Sequence, residues 1–483
     1  MNQRLSAMDA LFLYLETAAA PMHISSIYLV EGEVSYQSVL ELFESRIHLA
    51  PACRRRLAQV PLNLAHPTWV DDPDFDLTNH VKHVQLPNDT TLQGGIDAAL
   101  ELSEPMLDRS RPLWMYYVIS GVPDKTLILH INHHAMLDGL AGVQLTTVFY
   151  DFEPSGGNRQ PPTEIWHPEP IPSPVQRLTE ALQDNLINAR DSKLLSLFGN
   201  AKQRHLINKA ISVISRMVTR PVITAPFNAG LVGPKRQAKY IKRSLAEIRE
   251  IRHALGGTVN DVVLTVVSEA VARYLASHDE PTNGHYMRIM CPVSVRSEDE
   301  AGTLGNKVSA VFPVLPAWPM DLVDRLTTVC AETERIKHGE EAQALALTTE
   351  IASSIWPVAL APTQLVGTRW DPTVLATKIP LPAWPKSHWR PPNFGYNFVC
   401  TNIPGVQVPQ YLAGHKVTAT IGLLVLSFNV GFSMTIMSYN KELFFSFICE
   451  PRLLPDLQTI VEATEASFEE LLEAARHREQ QLH

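Results

Sequence analysis

Seven consecutive residues, His133-His134-Ala135-Met136-Leu137-Asp138-Gly139, bring two imidazoles, a carboxylate and a glycine together after the alternating run Thr126–Asn132 and before a helical pattern. A histidine leaving the end of a strand faces a cleft. With an ordinary pKa near ~6.5, it is suited to taking a proton from an alcohol at neutral pH. Asp138 can point back beneath the loop to fix an imidazole tautomer or pair with an arginine, and Gly139 permits a tight turn. A metal site built from His130, His133, His134 and Asp138 is disfavoured, because neighbours on an extended chain point opposite ways. No H-E-x-x-H or carboxylate cluster supports one. A hydrolytic triad lacks its G-x-S-x-G nucleophile elbow. A purely structural histidine pair is the plain alternative, and general-base chemistry on a bound hydroxyl is the reading favoured.

Strands and helices must hold that loop. Met115–Ile119 and Thr126–Asn132 read as neighbouring strands around the turn Gly121-Val122-Pro123-Asp124, and Gly139–Phe152 as a helix packed back onto them. Upstream, Ser6-Ala7-Met8-Asp9 opens a short helix through Leu13, His23–Val30 is a strand, and Ser35 caps a helix with Val39, Phe43 and Ile47 on one face. In the second half, helices are expected over Ser244–Leu255, Asn260–Ala276, Leu322–Lys337 and from Pro455. Strands are expected over Tyr286–Val295 and Val308–Leu315 and across Phe394–Phe447. Gly422–Met437 reads as two adjacent strands.

The chain has 483 residues, suggesting two or three domains. Its 41 Lys+Arg against 50 Asp+Glu give −9, which argues against a nucleic-acid partner. Five scattered cysteines read as reduced thiols. With no apolar signal core at Met1–Ser6 and no run of about 18 apolar residues, a soluble, cytoplasmic protein is expected. Seven prolines between Pro154 and Pro174 mark a connector. Beyond it, Arg190, Lys193, Lys202, Arg204, Lys209, Arg216 and Arg220 against Asp191 alone give a net +6 over 190–220. Leu206, Ala210, Val213 and Met217 share one helical face there, which either packs on the protein or meets an anionic membrane. Pro357–Pro392 holds eight prolines and, with Trp356, four tryptophans, and reads as a lid or an irregular packed loop.

The H-H-x-x-x-D-G pattern resembles the hallmark of the CoA-dependent acyltransferases, a superfamily that includes chloramphenicol acetyltransferase and peptide-synthetase condensation domains. Ser6–Leu13, Pro21-Met22-His23, Pro112-Leu113-Trp114, Asn260-Asp261-Val262, Pro292–Arg296, Gly305-Asn306 and Thr401-Asn402-Ile403-Pro404-Gly405 resemble, in order, the bacterial wax ester synthase/diacylglycerol acyltransferase family. The resemblance implies an α/β fold of mixed sheets: two acetyltransferase-like domains, 1–175 and 226–483, joined by a basic helical linker, 176–225, with a channel at their interface. It implies His134 as the base, His133 as loop support, and Asp138 orienting the loop through Arg296, with Gly139 completing the motif. Asn260 and Asp261 would shape the site from the other domain. Pro112, Leu113, Trp114, Asn306, Thr401 and Asn402 would support it or bind substrate. Three arginines, Arg54-Arg55-Arg56, either meet CoA phosphates or form a solvated face. No bound cofactor or metal is implied. Long-chain acyl-CoA is the co-substrate, diacylglycerol or a fatty alcohol the acceptor, and 190–220 a peripheral membrane or lipid-droplet contact. Another hydroxyl acceptor, such as a polyketide-derived diol, and a non-catalytic lipid-binding paralogue are the alternatives. The chain departs from the family at Val406, where Pro is common, and at Lys441, where Gly is usual.

Overall fold

The computed structural model describes residues 3–157, 166–190, 201–294, 308–339, 341–345, 390 and 392–482. Arg296, Asn306, Lys193 and the tryptophan-bearing segment up to Trp389 lie outside the described residues.

The N-terminal half runs β1 (Gln3–Arg4), α1 (Ala7–Leu15), β2 (His23–Glu31), α2 (Tyr36–Arg46), β3 (Arg55–Ala58), β4 (Thr68–Asp71), β5 (Val81–Gln85), α3 (Leu92–Ser103), β6 (Trp114–Val122), β7 (Lys125–His133) and α4 (Gly139–Phe149). Helices α5 (Pro174–Arg190) and α6 (Ala201–Thr219) follow. The remainder is β8 (Gln237–Ser244), α7 (Leu245–Leu255), α8 (Val259–Ser277), β9 (Tyr286–Ser294), β10 (Val308–Val311), β11 (Val314–Pro316), α9 (Leu322–His338), β12 (Phe398–Ile403), β13 (Tyr411–Leu412), β14 (His415–Leu423), β15 (Phe432–Tyr439), β16 (Glu442–Cys449) and α10 (Leu457–Leu482).

Helix starts form where a side-chain oxygen takes a terminal N–H. Ser6 accepts from Asp9 N at 3.1 Å. Ser244 and Glu247 close a reciprocal box at α7, as Thr258 and Asp261 do at α8. The cap of α8 is therefore Thr258, two residues before the Asn260 expected to begin the helix.

Two mixed sheets carry most of the strands, and β1, β4 and β3 form a small third sheet. The first is ordered β13-β14-β2-β7-β6-β5 and the second β10-β9-β12-β15-β16-β8, with β11 also on β9. The two halves do not keep to themselves: β14 pairs antiparallel with β2, placing a C-terminal strand inside the N-terminal sheet. The expected neighbours within Gly422–Met437 are β14 and β15, one in each sheet. They meet where a Cβ on Gly422 would lie 2.6 Å from Thr435 Cγ2, an approach only glycine allows. Val308–Leu315 is two short strands rather than one, broken by Phe312-Pro313, where proline offers no N–H to a ladder.

Both faces of β7 are buried, Leu127, Leu129 and Ile131 on one and Ile128 and His130 on the other. Each half has its own core, and Tyr439, Phe444 and Ile448 of the second sheet extend the first core. Arg236 bridges the halves by donating to Ala19 O and Leu426 O.

In the linker, α6 buries Ala210 and Val213 on the protein, with Leu206 and Met217 part-buried beside them. Ile211, Ile214 and Val218 face outward. No single described helix is long and apolar enough to cross a membrane.

The β15–β16 turn places Asn440 at φ 46° and Lys441 at φ 66°. Such two-residue hairpin turns favour glycine, and Lys441 stands at the second of these positions instead. Lys441→Gly is expected to raise stability by about 1 kcal/mol in a denaturant melt, with acyl transfer unchanged. An unchanged midpoint would show that the turn carries no strain.

Candidate active site

The histidine loop begins where β7 leaves the sheet. His133 N donates to Leu113 O at 2.9 Å and His134 N to Met22 O at 2.8 Å, so the loop is pinned to β6 and β2 on either side. The two imidazoles then diverge, as alternation along a strand requires.

His133 is fully buried. Its Nδ1 accepts from Ala135 N at 3.0 Å, which leaves the ring proton on Nε2, 3.4 Å from Glu16 Oε1. Nδ1 is thus committed to holding the loop, and Nε2 faces the Glu16 carboxylate. His134 is part-exposed, its ring stacked on Phe12 with centroids 3.9 Å apart and planes 6° from parallel. Asp138 is buried and caps α4, accepting from Ala141 N at 2.8 Å. Gly139 answers to a neighbour rather than to a turn. It is the first residue of α4, and a Cβ there would sit 2.6 Å from Ile403 Cδ1 at the end of β12. The loop therefore lies against the second sheet.

Glu16, at the end of α1, is the residue that sequence reasoning missed. It is buried, accepts from Met22 N at 3.1 Å and Arg109 Nη2 at 2.9 Å, and faces His133. Burial alone would raise its pKa, but His133 and Arg109 outweigh that and hold it at about 2. The carboxylate supports both histidines: His133 directly, and His134 through Met22. An acid just after a short apolar helix and before Pro21-Met22-His23 was the only local signal, and the contact spans more than a hundred residues of chain. Glu16→Gln is expected to cost about 3 kcal/mol by leaving the Arg109 guanidinium without its charge partner. Thermal unfolding measures it, and a melt like that of the wild type would remove the role.

The other expected residues divide. Trp114 is core: its Nε1 donates to Cys53 O at 2.8 Å and its ring packs on Phe43 and His80. Pro112 and Leu113 are buried, with Leu113 serving the loop through its carbonyl. This motif packs in the core and helps position the strand that carries the histidines. Asp261 is occupied by the start of α8 and by Thr333 Oγ1 at 2.7 Å. Both of its carboxylate oxygens thus hold the fold, Oδ2 at the cap of α8 and Oδ1 toward α9. Asn260 is exposed and accepts from Asn402 Nδ2 at 2.6 Å, next to the Ile403 that meets Gly139. Thr401 is buried on β12 opposite Thr435 of β15. Arg54 lies over the Trp166 ring, Arg55 pairs with Asp71, and Arg56 reaches Asp72 and Ser110 O, so the three arginines form no common phosphate cradle.

Two openings flank the loop's supports. One, about 350 Å³ of space, lies between the halves and is lined by Pro21, His23, Ser25 and Arg236 against Leu423–Leu426. The other, about 630 Å³ including its mouth, lies behind Ala135 and Met136.

The sequence profile of the wax ester synthase/diacylglycerol acyltransferase catalytic domain matches residues 5–263, and that of the family's C-terminal domain matches residues 304–472. The chain belongs to this family. It is therefore an O-acyltransferase. A candidate diacylglycerol O-acyltransferase of Mycobacterium tuberculosis is 30% identical, over 98% of both chains, and a second from the same organism is 26% identical, over 98% of this chain and 91% of its own. Among solved structures, the wax ester synthase/diacylglycerol acyltransferase of Marinobacter aquaeolei matches with TM-score 0.64 at 20% identity, covering 98% of this chain and 100% of that one. A rhizomide synthetase starter condensation domain in complex with C8-CoA matches with TM-score 0.59 at 14% identity, over 99% and 95% of the two chains. These likenesses carry the fold expected from the H-H-x-x-x-D-G pattern, two acetyltransferase-like units with mixed sheets.

Proposed function

We propose that this family member transfers a long-chain acyl group from acyl-CoA to the free hydroxyl of diacylglycerol, making triacylglycerol, and also esterifies fatty alcohols to wax esters. The observation that carries the reading is the division between the histidines. His133 is fully buried, with Nδ1 accepting from Ala135 N and Nε2 facing Glu16, while His134 is part-exposed with its ring stacked on Phe12. The names of the mycobacterial relatives support diacylglycerol as acceptor, and the CoA-bound condensation domain supports the donor.

In this mechanism His134 removes the acceptor's hydroxyl proton as the oxygen attacks the thioester carbonyl. The tetrahedral oxyanion collapses, the C–S bond breaks, and the imidazolium returns the proton to the departing CoA thiolate. The acyl group passes directly between bound substrates, so positioning supplies much of the rate. Asp138 and Glu16 hold the loop, and the Asn260–Asn402 pair offers polar groups from across the junction. Peripheral attachment on the cytoplasmic side, at a membrane or lipid droplet, is part of the same proposal. The outward Ile211, Ile214 and Val218 of α6 support it, with Arg204 exposed on the same helix and Arg220 exposed just past its end.

Purified enzyme with palmitoyl-CoA is expected to form triacylglycerol from diacylglycerol and wax ester from hexadecanol, resolved by chromatography of the products. If neither acceptor is esterified, the substrate assignment fails.

A further inference from the structure

The mechanism above gives no part to the Ser6–Leu13 motif, which forms most of α1. This helix is tied at both ends. Leu5 N donates to Pro67 O at 2.9 Å just before it. At its far end Arg109 Nη2 donates to Leu13 O at 2.7 Å and to Glu16 Oε2 at 2.9 Å. Between those ties Phe12 is half-buried, packed against the cluster of Leu5, Leu13, Leu57 and Leu113. Its ring face lies on the His134 imidazole, with centroids 3.9 Å apart and planes 6° from parallel. Phe12 and Glu16 are four residues apart, so one side of the helix serves both imidazoles, Phe12 at His134 and Glu16 at His133.

A benzene ring so placed acts on an imidazole in two ways. It hinders rotation about the Cβ–Cγ bond, a torsion that is otherwise broad for histidine, and so narrows the directions in which the ring nitrogens can meet a hydroxyl proton. Its negative face also attracts the charge that His134 gains on taking that proton. An interaction that strengthens as the proton moves favours the transition state over the bound substrates. An aliphatic side chain of similar size fills the space but offers neither the flat stop nor the negative face. We propose that Phe12 is a positioning residue for the general base, holding the plane of the His134 ring and stabilising its imidazolium, an inference that rests on His134 as the base. The Ser6–Leu13 motif then serves acyl transfer by aiming this one ring.

The test is a double-mutant cycle with palmitoyl-CoA and 1,2-dioctanoylglycerol. Phe12→Leu is expected to lower kcat about ten-fold with both KM values unchanged, and Phe12→Tyr, which keeps the ring, to restore the rate. In the His134→Ala background no imidazole remains to be held, so Phe12→Leu is expected to remove no further activity. The same ten-fold loss in both backgrounds, equal losses in Phe12→Tyr and Phe12→Leu, or a Phe12→Leu enzyme with the wild-type kcat would overturn the proposal. The base and its support fail separately. Wild-type turnover by His134→Ala removes both, whereas a crippled His134→Ala enzyme with additive losses removes Phe12 alone. Should Phe12→Leu not fold, Phe12→Met carries the same expectation. A readout free of turnover is the titration of His134 in enzyme labelled with ¹³C at the histidine Cε1 positions, its signal assigned by its loss in His134→Ala. Phe12→Leu is expected to titrate about half a pH unit below the wild type and Phe12→Tyr with it. Glu16, Arg109, His133 and Asp138 are the same in every variant, so the difference reads Phe12, and identical titrations overturn its hold on the imidazolium.

Discussion

Replacing His134 by alanine is expected to lower kcat for acyl transfer by about 10²–10⁴-fold while leaving the protein folded. The rate loss corresponds to about 3–5 kcal/mol of transition-state stabilisation, because no other group has been placed to take the hydroxyl proton. The fold survives because the His134 ring is part-exposed and stacked on Phe12, whereas its backbone bond to Met22 O is untouched by the substitution. His133→Ala should behave differently. It strips the partner from Ala135 N and leaves Glu16 facing an empty space, so unfolding temperature and activity fall together. Measuring kcat and the melting temperature for both variants separates the roles. A His134→Ala enzyme that turns over like the wild type contradicts the mechanism.

The second large effect is acid instability. His23, His66 and His130 are buried with pKa values held down at about 4, chiefly because burial disfavours the charged ring. Two of them are also bonded as neutral rings: His23 Nε2 donates to Ser103 O, and His130 Nε2 accepts from Asn132 Nδ2. In the unfolded chain each titrates near ~6.5 and takes up its proton first. Their stabilisation is therefore complete above about pH 6.5 and is lost as pH falls toward 4. With three protons more on the unfolded state, stability drops by up to about 4 kcal/mol per pH unit in that window. Glu16 continues the trend below about pH 4.5, since its carboxylate is held at about 2 in the fold. By pH 4.5 the cumulative loss reaches about 8 kcal/mol, comparable to the typical 5–15 kcal/mol stability of a folded protein. Thermal melts at pH 7.5, 6.5, 5.5 and 5.0 are expected to show a steep, accelerating fall, and His130→Gln a shallower one. Equal melting temperatures at pH 7.5 and 5.0 would show that these rings are not buried neutral.

Much of the architecture around the site was legible because its causes are local. A capping serine, an alternating run or a proline-rich stretch acts within a few residues, so α1, α2, the β6–β7 hairpin and α7 can be read directly from Ser6, Ser35, Thr126–Asn132 and Ser244. The histidine loop was legible for the same reason. What escaped depends on contacts far apart in sequence. Glu16 meets His133 only once α1 packs beneath the sheet, and Gly139 is explained by Ile403, which arrives from the other half. The insertion of β14 beside β2 has no signature in the composition of either segment. Asp261 and Trp114 carried motif resemblance, but each is fully engaged in the fold.

The most direct measurement is a single turnover with enzyme in excess over palmitoyl-CoA, with and without diacylglycerol. Direct transfer predicts that the thioester stays intact until the acceptor is added, and that CoA and triacylglycerol then appear in equal amounts with the mass of the protein unchanged. Release of CoA without acceptor, accompanied by a protein heavier by one acyl group, would contradict the account.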